Sequence, residues 1–497
     1  MSSIETKGQL RSFSYVAGGA AIGLLLFELI FKWQVIASEV FVLDDAFIFE
    51  RAVNGRPFND LGEFLPSFQA VDLDRSPGLK FYRFMAETAG DISNMRIIYL
   101  SFFAITCALF ALVIYQVTKD RVLSVLTSIF ACISPFSPVL VLFTNGSYNI
   151  VYFGLFFAAL LTGTFLGPKD SPRRMDLIVA LTTALLLLSA VFVEVGFLLS
   201  LAALAWLFFY CKAYERKLGQ VLFILSAAVV VAQAIWILMT YTSPYETMPD
   251  RVNYGLDSMF VNGLSIIDRS ISSFWDPMLT SGQLTLRSSL WIAIAFICIV
   301  LLFYVVAGLK LIRKRADWVD LRGPLSFTLF MSVCAVLSIG PYTALKLSHL
   351  WHYFPHMVFL GASSVLLLYL TLSKKAAYLF LAFTAALTAQ TYSQQLSSYH
   401  DHVHQQVLFS NFIHAESKSW SEYDRVILYF DGQVLGGLNI LFRSTGFARY
   451  VAKNPDVPLL KINGTKPTPL PDCDLEGEPG ECRVYEMNQS GAYRSIR

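Results

Sequence analysis

The chain has 497 residues, 55% of them hydrophobic and only 15% charged, with a net charge of +2 and a mean hydropathy of +0.55. A soluble domain carries about a quarter charged residues, so the composition excludes a soluble globular protein and points to one that crosses a membrane many times. With the charges nearly balanced and no basic face with interleaved aromatics, a nucleic-acid partner is excluded as well.

About 20 apolar residues span a bilayer. By that measure the sequence predicts about eleven transmembrane helices, near 12–33, 97–117, 122–143, 148–167, 176–193, 196–211, 218–241, 286–309, 323–343, 356–373 and 376–393. Lys7 and Arg11 precede the first stretch and no small-residue cleavage signature follows it, so it reads as a retained span. The basic groups of the short loops are Lys7 and Arg11; Lys119 and Arg121; Lys169, Arg173 and Arg174; Lys212, Arg216 and Lys217; Lys310, Arg313, Lys314 and Arg315; and Lys374 and Lys375. With eleven spans they all fall on one side, which the positive-inside rule makes cytoplasmic. The N-terminus is then cytoplasmic. The first loop (34–96), the loop 242–285 and the tail 394–497 face outward, as in a multi-pass protein of a bacterial inner membrane with a periplasmic C-terminus.

The fold class expected is an all-α polytopic bundle, residues 1–393 including the large first loop, followed by a small exported α/β domain, 394–497. In that tail Arg425–Phe430 reads as a buried strand ended by Asp431-Gly432, residues 434–452 as a helix, and Leu459–Ile462 and Arg483–Tyr485 as short strands. Five cysteines (Cys107, Cys132, Cys211, Cys298, Cys334) lie in apolar stretches and read as small core residues. Cys473 and Cys482 lie in the tail, and an oxidising compartment allows them to pair.

Asp44 and Asp45 stand in Phe41-Val42-Leu43-Asp44-Asp45-Ala46-Phe47-Ile48, just after the first span. Neighbouring carboxylates resist joint ionisation, which suits one to act as general base while the other orients a hydroxyl or holds a cation. Aspartate is equally favoured as the cap of a helix beginning near Ala46. Leu43 to Ala52, with Glu50-Arg51-Ala52 at its end, resembles the first-loop signature of GT-C-type glycosyltransferases, including arabinofuranosyl- and mannosyltransferase-like members. The turn Asn54-Gly55-Arg56-Pro57 and the element Asp74-Arg75-Ser76-Pro77-Gly78-Leu79 are similar too.

That resemblance implies an enzyme that takes a sugar from a polyprenyl phosphate and delivers it, with inversion, to a cell-envelope glycan. Asp44 or Asp45 would be the base, and an O-antigen-type glycan the acceptor. Many relatives carry a further acidic metal ligand at the outer start of the fourth span. Here Asn145-Gly146-Ser147-Tyr148-Asn149 offers polar Tyr148 but no carboxylate, so a magnesium or manganese cofactor lacks one expected ligand.

Other outward-facing residues carry candidate roles. Glu194 interrupts two apolar runs, where an ionisable residue is either functional or simply reaching water. Arg75, Lys80, Lys346, His349 and His352 are candidate partners for a donor phosphate, whose leaving charge needs cationic donors. The segment Lys346–Tyr353 reads equally as an interfacial aromatic belt. In His400-Asp401-His402-Val403-His404 the first and last histidines share a helical face, but no third ligand has zinc spacing, so this reads as the solvated start of the tail. The competing class is a transporter or flippase of lipid-linked sugar, which would place charges at mid-membrane and show internal repeats; no repeat is visible. A third class, an envelope scaffold, leaves the outward polar residues without a role. Membrane lipids, a lipid-phosphate sugar and a glycan are the partners expected.

Overall fold

The computed structural model describes residues 3–37, 45–55, 57, 77–133, 148–165, 171–192, 196–210, 217–246, 255–272, 291–313, 318–343, 354–431, 441–454, 456–463 and 481–496. Among the described residues fourteen α-helices precede the first strand: α1 (Ser3–Ile36), α2 (Asp45–Val53), α3 (Pro77–Ala89), α4 (Ile92–Thr118), α5 (Arg121–Cys132), α6 (Tyr148–Thr164), α7 (Pro172–Phe192), α8 (Gly196–Tyr210), α9 (Lys217–Glu246), α10 (Leu256–Ser272), α11 (Trp291–Arg313), α12 (Trp318–Thr343), α13 (Phe354–Thr371) and α14 (Lys374–Glu416). The chain divides into two compact units. Met1–Phe31, Tyr99–Leu140 and Ser147–Ser393 make up the first; Lys32–Ile98, Val141–Gly146 and Gln394–Arg497 make up the second.

The first unit is a bundle of apolar helices. Each of the eleven stretches read from the sequence overlaps a helix. Among the described residues five helical segments are long and apolar enough to cross a bilayer: Arg11–Trp33, Ile92–Thr118, Ala293–Lys310, Gly323–Gly340 and Phe354–Thr371. Ile22, Leu26 and Ile30 on α1, and Leu301, Leu302 and Val305 on α11, are exposed. Such faces suit contact with lipid.

Where lipid is as apolar as leucine, helices associate through close packing and small residues. Phe110 of α4 stacks on Phe157 of α6 at 4.2 Å, and Phe153 of α6 meets Phe354 and Phe359 of α13 at 5.7 and 5.6 Å. Trp206 of α8 stacks on Phe330 of α12 at 5.1 Å. Each such pair contributes about 0.5–1.5 kcal/mol beyond area burial. Gly196, which opens α8, has Ala190 Cα and Ser189 O of α7 about 3.0 Å from where a Cβ would stand, so those two backbones touch.

Several basic groups of the loops converge on one end of this bundle. Arg121 Nη2 donates to Ser12 Oγ at 2.6 Å, beside Arg11. Lys374 Nζ pairs with Asp120 Oδ2 at 2.6 Å, and Lys310 Nζ donates to the Thr371 carbonyl. Phe13 packs on Tyr115 and Phe165 at 5.7 and 5.8 Å, four residues before Lys169. Local chemistry builds the α4–α5 corner at this end. Lys119 takes a left-handed φ of 56°, and Asp120 caps α5 by accepting the Leu123 N–H at 3.1 Å. The hydrogen bond it donates to Asp120 raises the Lys374 ammonium above its ordinary range.

The second unit holds the α/β module. β1 (Arg425–Phe430), α15 (Leu441–Ala452), β2 (Leu459–Asn463), β3 (Cys482–Met487) and β4 (Tyr493–Ser495) form a four-stranded sheet in the order β2-β1-β3-β4. β1 is parallel to β2 and to β3, with Val426 opposite Leu460 and Arg483, whereas β4 runs antiparallel to β3. Val426 to Phe430 are all buried, as a central parallel strand requires. Ile427, Tyr429, Cys482 and Val484 cluster together, with Ile496 against them. The end of α14 supplies Phe409, 5.4 Å from Phe430, and Phe412, which meets Trp420, Tyr485 and Tyr493. Glu416 closes this cluster by accepting from the Tyr485 and Tyr493 hydroxyls at 2.8 and 3.0 Å.

Candidate active site

α2 begins at Asp45; Asp44 lies outside the described residues. The helix is nine residues long, and the residues after the pair explain how it ends. The Asn54 N–H donates to the Glu50 carbonyl at 3.0 Å and the Gly55 N–H to the Ala52 carbonyl at 3.3 Å. Gly55 then turns the chain with φ +66°, a conformation that costs glycine little. The Asn54 amide donates to Glu50 Oε1 at 3.0 Å, and Arg51 Nη1 donates to the Pro57 carbonyl at 2.9 Å.

Glu50 and Arg51 are buried, with relative exposures of 0 and 2%. Burying a charge is costly without hydrogen bonds, and each of the two has a bond in the turn. Arg51 thus ties α2 to Pro57 beyond the turn at Gly55.

The other face of α2 is held by the tail. α2 packs on α3 and, more extensively, on α15. Phe49, fully buried, meets Tyr450 edge-on with ring centroids 5.6 Å apart. α15 is in turn pinned to β2: the Leu460 N–H donates to Thr445 Oγ1 at 3.1 Å, that hydroxyl faces the Leu460 carbonyl at 3.4 Å, and Arg449 Nε donates to the Val457 carbonyl at 3.3 Å. The helix that starts at Asp45 therefore rests on the α/β module.

Of the remaining residues singled out by sequence, Lys80 is exposed on α3, and Tyr148 is the first residue of α6. Cys482 on β3 is disulfide-bonded. Arg75, Glu194, Lys346, His349, His352 and Cys473 lie outside the described residues. The histidine run 400–404 lies within α14, with His404 exposed. Among the described residues no group of three or more His, Cys, Asp or Glu could hold a metal ion. The aspartates that a magnesium or manganese ion would need are not among the side chains described.

Several buried polar residues escaped the sequence reading. Glu28 and Lys32 sit one turn apart on α1, and Arg96 on α4; all three are buried. The spacing of Glu28 and Lys32 inside an apolar run was a usable signal. Asp268 of α10 is 2% exposed, and its Oδ1 makes no hydrogen bond. His356, in the first turn of α13, has Nδ1 2.8 Å from the Ala335 carbonyl. That contact assigns the ring proton to Nδ1 and leaves Nε2 as an acceptor. No sequence pattern distinguishes His356 from His352 four residues earlier; only the packing of α13 on α12 does.

No protein-family model matches the chain, and no curated protein matches its sequence.

Proposed function

We propose that the chain is an integral-membrane glycosyltransferase of the GT-C type, which transfers a sugar from a polyprenyl phosphate to a cell-envelope glycan on the outer face of a bacterial inner membrane. The carrying observation is that the helix starting at Asp45 packs on the tail's α/β module within one compact unit. A helix that starts at Asp45 and is braced by a folded module, with its far end tied to Pro57 through Arg51, is what a fixed catalytic group needs. The convergence of basic groups at one end of the bundle supports eleven spans with a cytoplasmic N-terminus, and so an outward-facing aspartate pair and tail.

In this reading one of Asp44 and Asp45 takes the proton of the acceptor hydroxyl as its oxygen attacks the anomeric carbon. The bond from that carbon to the phosphate oxygen breaks with inversion, and the polyprenyl phosphate leaves with the electron pair. Cationic donors such as Lys80, Arg75 and Lys346, with His349 and His352, would stabilise the leaving phosphate. O-antigen-type glycan is the acceptor class the resemblance favours.

The test is single replacement, Asp44→Asn and Asp45→Asn, in purified protein given labelled polyprenyl-phosphate hexoses and pentoses. At least one variant should lose transfer and donor hydrolysis by about 100-fold or more, as expected for a missing general base, while staying monodisperse. Full turnover in both variants sinks the assignment. Movement of labelled lipid across the bilayer without any hydrolysis or transfer indicates a flippase instead.

A further inference from the structure

We infer that Tyr450 and Phe49 are positioning residues for the aspartate pair, so that the exported α/β module is part of the catalytic apparatus rather than an appendage for binding acceptor. This rests on the glycosyltransferase reading above. A helix of nine residues is too short to persist alone, since isolated helices below about 12–15 residues are marginal in water. α2 therefore owes its placement to what it packs against, α15 foremost and α3 second.

The bracing is a continuous series of contacts. β2 holds α15 through Thr445 and Arg449. α15 holds α2 through the Tyr450 ring against Phe49 at 5.6 Å, and Phe49 is one turn beyond Asp45 in the helix. The partners on both sides are rigid. Phe49 and Ala52 of α2 are fully buried, as are Thr445 and Ala448 of α15. The turn at Gly55 and the Arg51 bond to Pro57 fix the far end of α2, and the Tyr450 ring against Phe49 joins the helix to the module one turn from Asp45.

A general base acts only within hydrogen-bond reach of its proton, and a misplacement of about 1 Å costs on the order of 100-fold in rate. Loss of the Tyr450 ring leaves α2 against α3 and the remaining surface of α15 but opens space beside Phe49 into which the helix can shift by that amount. The damage should then fall on the chemical step, not on capture of the lipid donor. The phenolic hydroxyl makes no part of the edge-on ring contact, so phenylalanine should substitute for tyrosine.

The experiment uses the full-length protein in liposomes, with whichever labelled polyprenyl-phosphate hexose or pentose the wild type turns over, and rates normalised to monodisperse protein. Tyr450→Ala should lower kcat roughly 10- to 100-fold with KM for the donor changed by less than about threefold. Tyr450→Phe should restore most of the rate. Phe49→Leu combined with Tyr450→Ala should be little worse than Tyr450→Ala alone, because both remove one contact. Should Tyr450→Ala fail to fold, Tyr450→Leu and Phe49→Leu carry the same measurement. Unchanged kcat in these variants, or a defect in Tyr450→Phe equal to that in Tyr450→Ala, overturns the inference while Asp44→Asn or Asp45→Asn remains inactive. Full activity in both aspartate variants instead brings down the glycosyltransferase reading, and the positioning role with it.

Discussion

Buried Glu50 and Arg51 take part in hydrogen bonds that close a turn with Asn54 and Pro57, and among the described residues His356 and Asp268 each keep one buried atom without a hydrogen bond. Glu416, partly buried at the end of α14, is the keystone of the tail module, receiving the Tyr485 and Tyr493 hydroxyls. Replacing it by alanine removes both bonds and should destabilise the module by about 1–3 kcal/mol, read as faster hydrogen exchange of the β1 and β3 amides. Burial, and then the bond to Glu416, raises the Tyr493 phenol above its ordinary value. A raised pKa stabilises the fold in full below the unfolded value, near 10, and that stability is lost as pH rises through the folded pKa. Exchange of the β4 amides, corrected for the intrinsic rate, should therefore accelerate above about pH 10, and Tyr493→Phe should abolish that pH dependence.

At the scale of elements, short helices and close backbones carry the specificity. The α7–α8 junction depends on Gly196, where a Cβ would press on Ala190 Cα, Ser189 O and Tyr152 at 3.0–3.1 Å. Backbone cannot retreat as a flexible side-chain tip can. Gly196→Val should therefore cost about 1–3 kcal/mol and lower the thermal midpoint of the detergent-solubilised protein. The neighbouring Ser189–Ser200 hydroxyl pair, 3.3 Å apart, should tolerate Ser200→Ala much better, because alanine fits that space and both hydroxyls already bond the Leu186 carbonyl. The strand Arg425–Phe430 and its two parallel neighbours were legible in sequence because continuous apolar runs ended by turn residues mark buried strands. The helix α10 was not, since its polar Asn262, Ser265 and Asp268 are buried while Leu256 and Phe260 are exposed, the reverse of a soluble amphipathic pattern.

For the whole molecule, the expected orientation puts the basic loop groups in the cytoplasm and the first loop and tail outside. Alkaline phosphatase fused after residue 497 should be active, and fused near Arg174 or Lys314 inactive. Activity in the opposite pattern would overturn the topology and remove the aspartate pair from the outer face. In the Lys374–Asp120 pair the lysine is about half exposed and the aspartate largely shielded; solvent screening at the lysine keeps its contribution to stability small, and its value here is as a marker of which loop ends lie together.

Composition alone determined that this is a helical membrane protein, because a mean hydropathy of +0.55 leaves too few polar groups to cover a soluble surface. Periodicity and punctuation determined the strands of the tail, and the motif around Asp44 and Asp45 determined where chemistry was sought. Tertiary structure decided what braces that motif. The sequence separates Phe49 from Tyr450 by four hundred residues, and no local pattern carries information across such a gap. Only packing could reveal that α2 rests on α15, that Arg51 reaches the Pro57 carbonyl, and that His356 faces Ala335. Those assignments depend on which surfaces are close enough to exclude solvent, a property of the folded chain and not of any one segment.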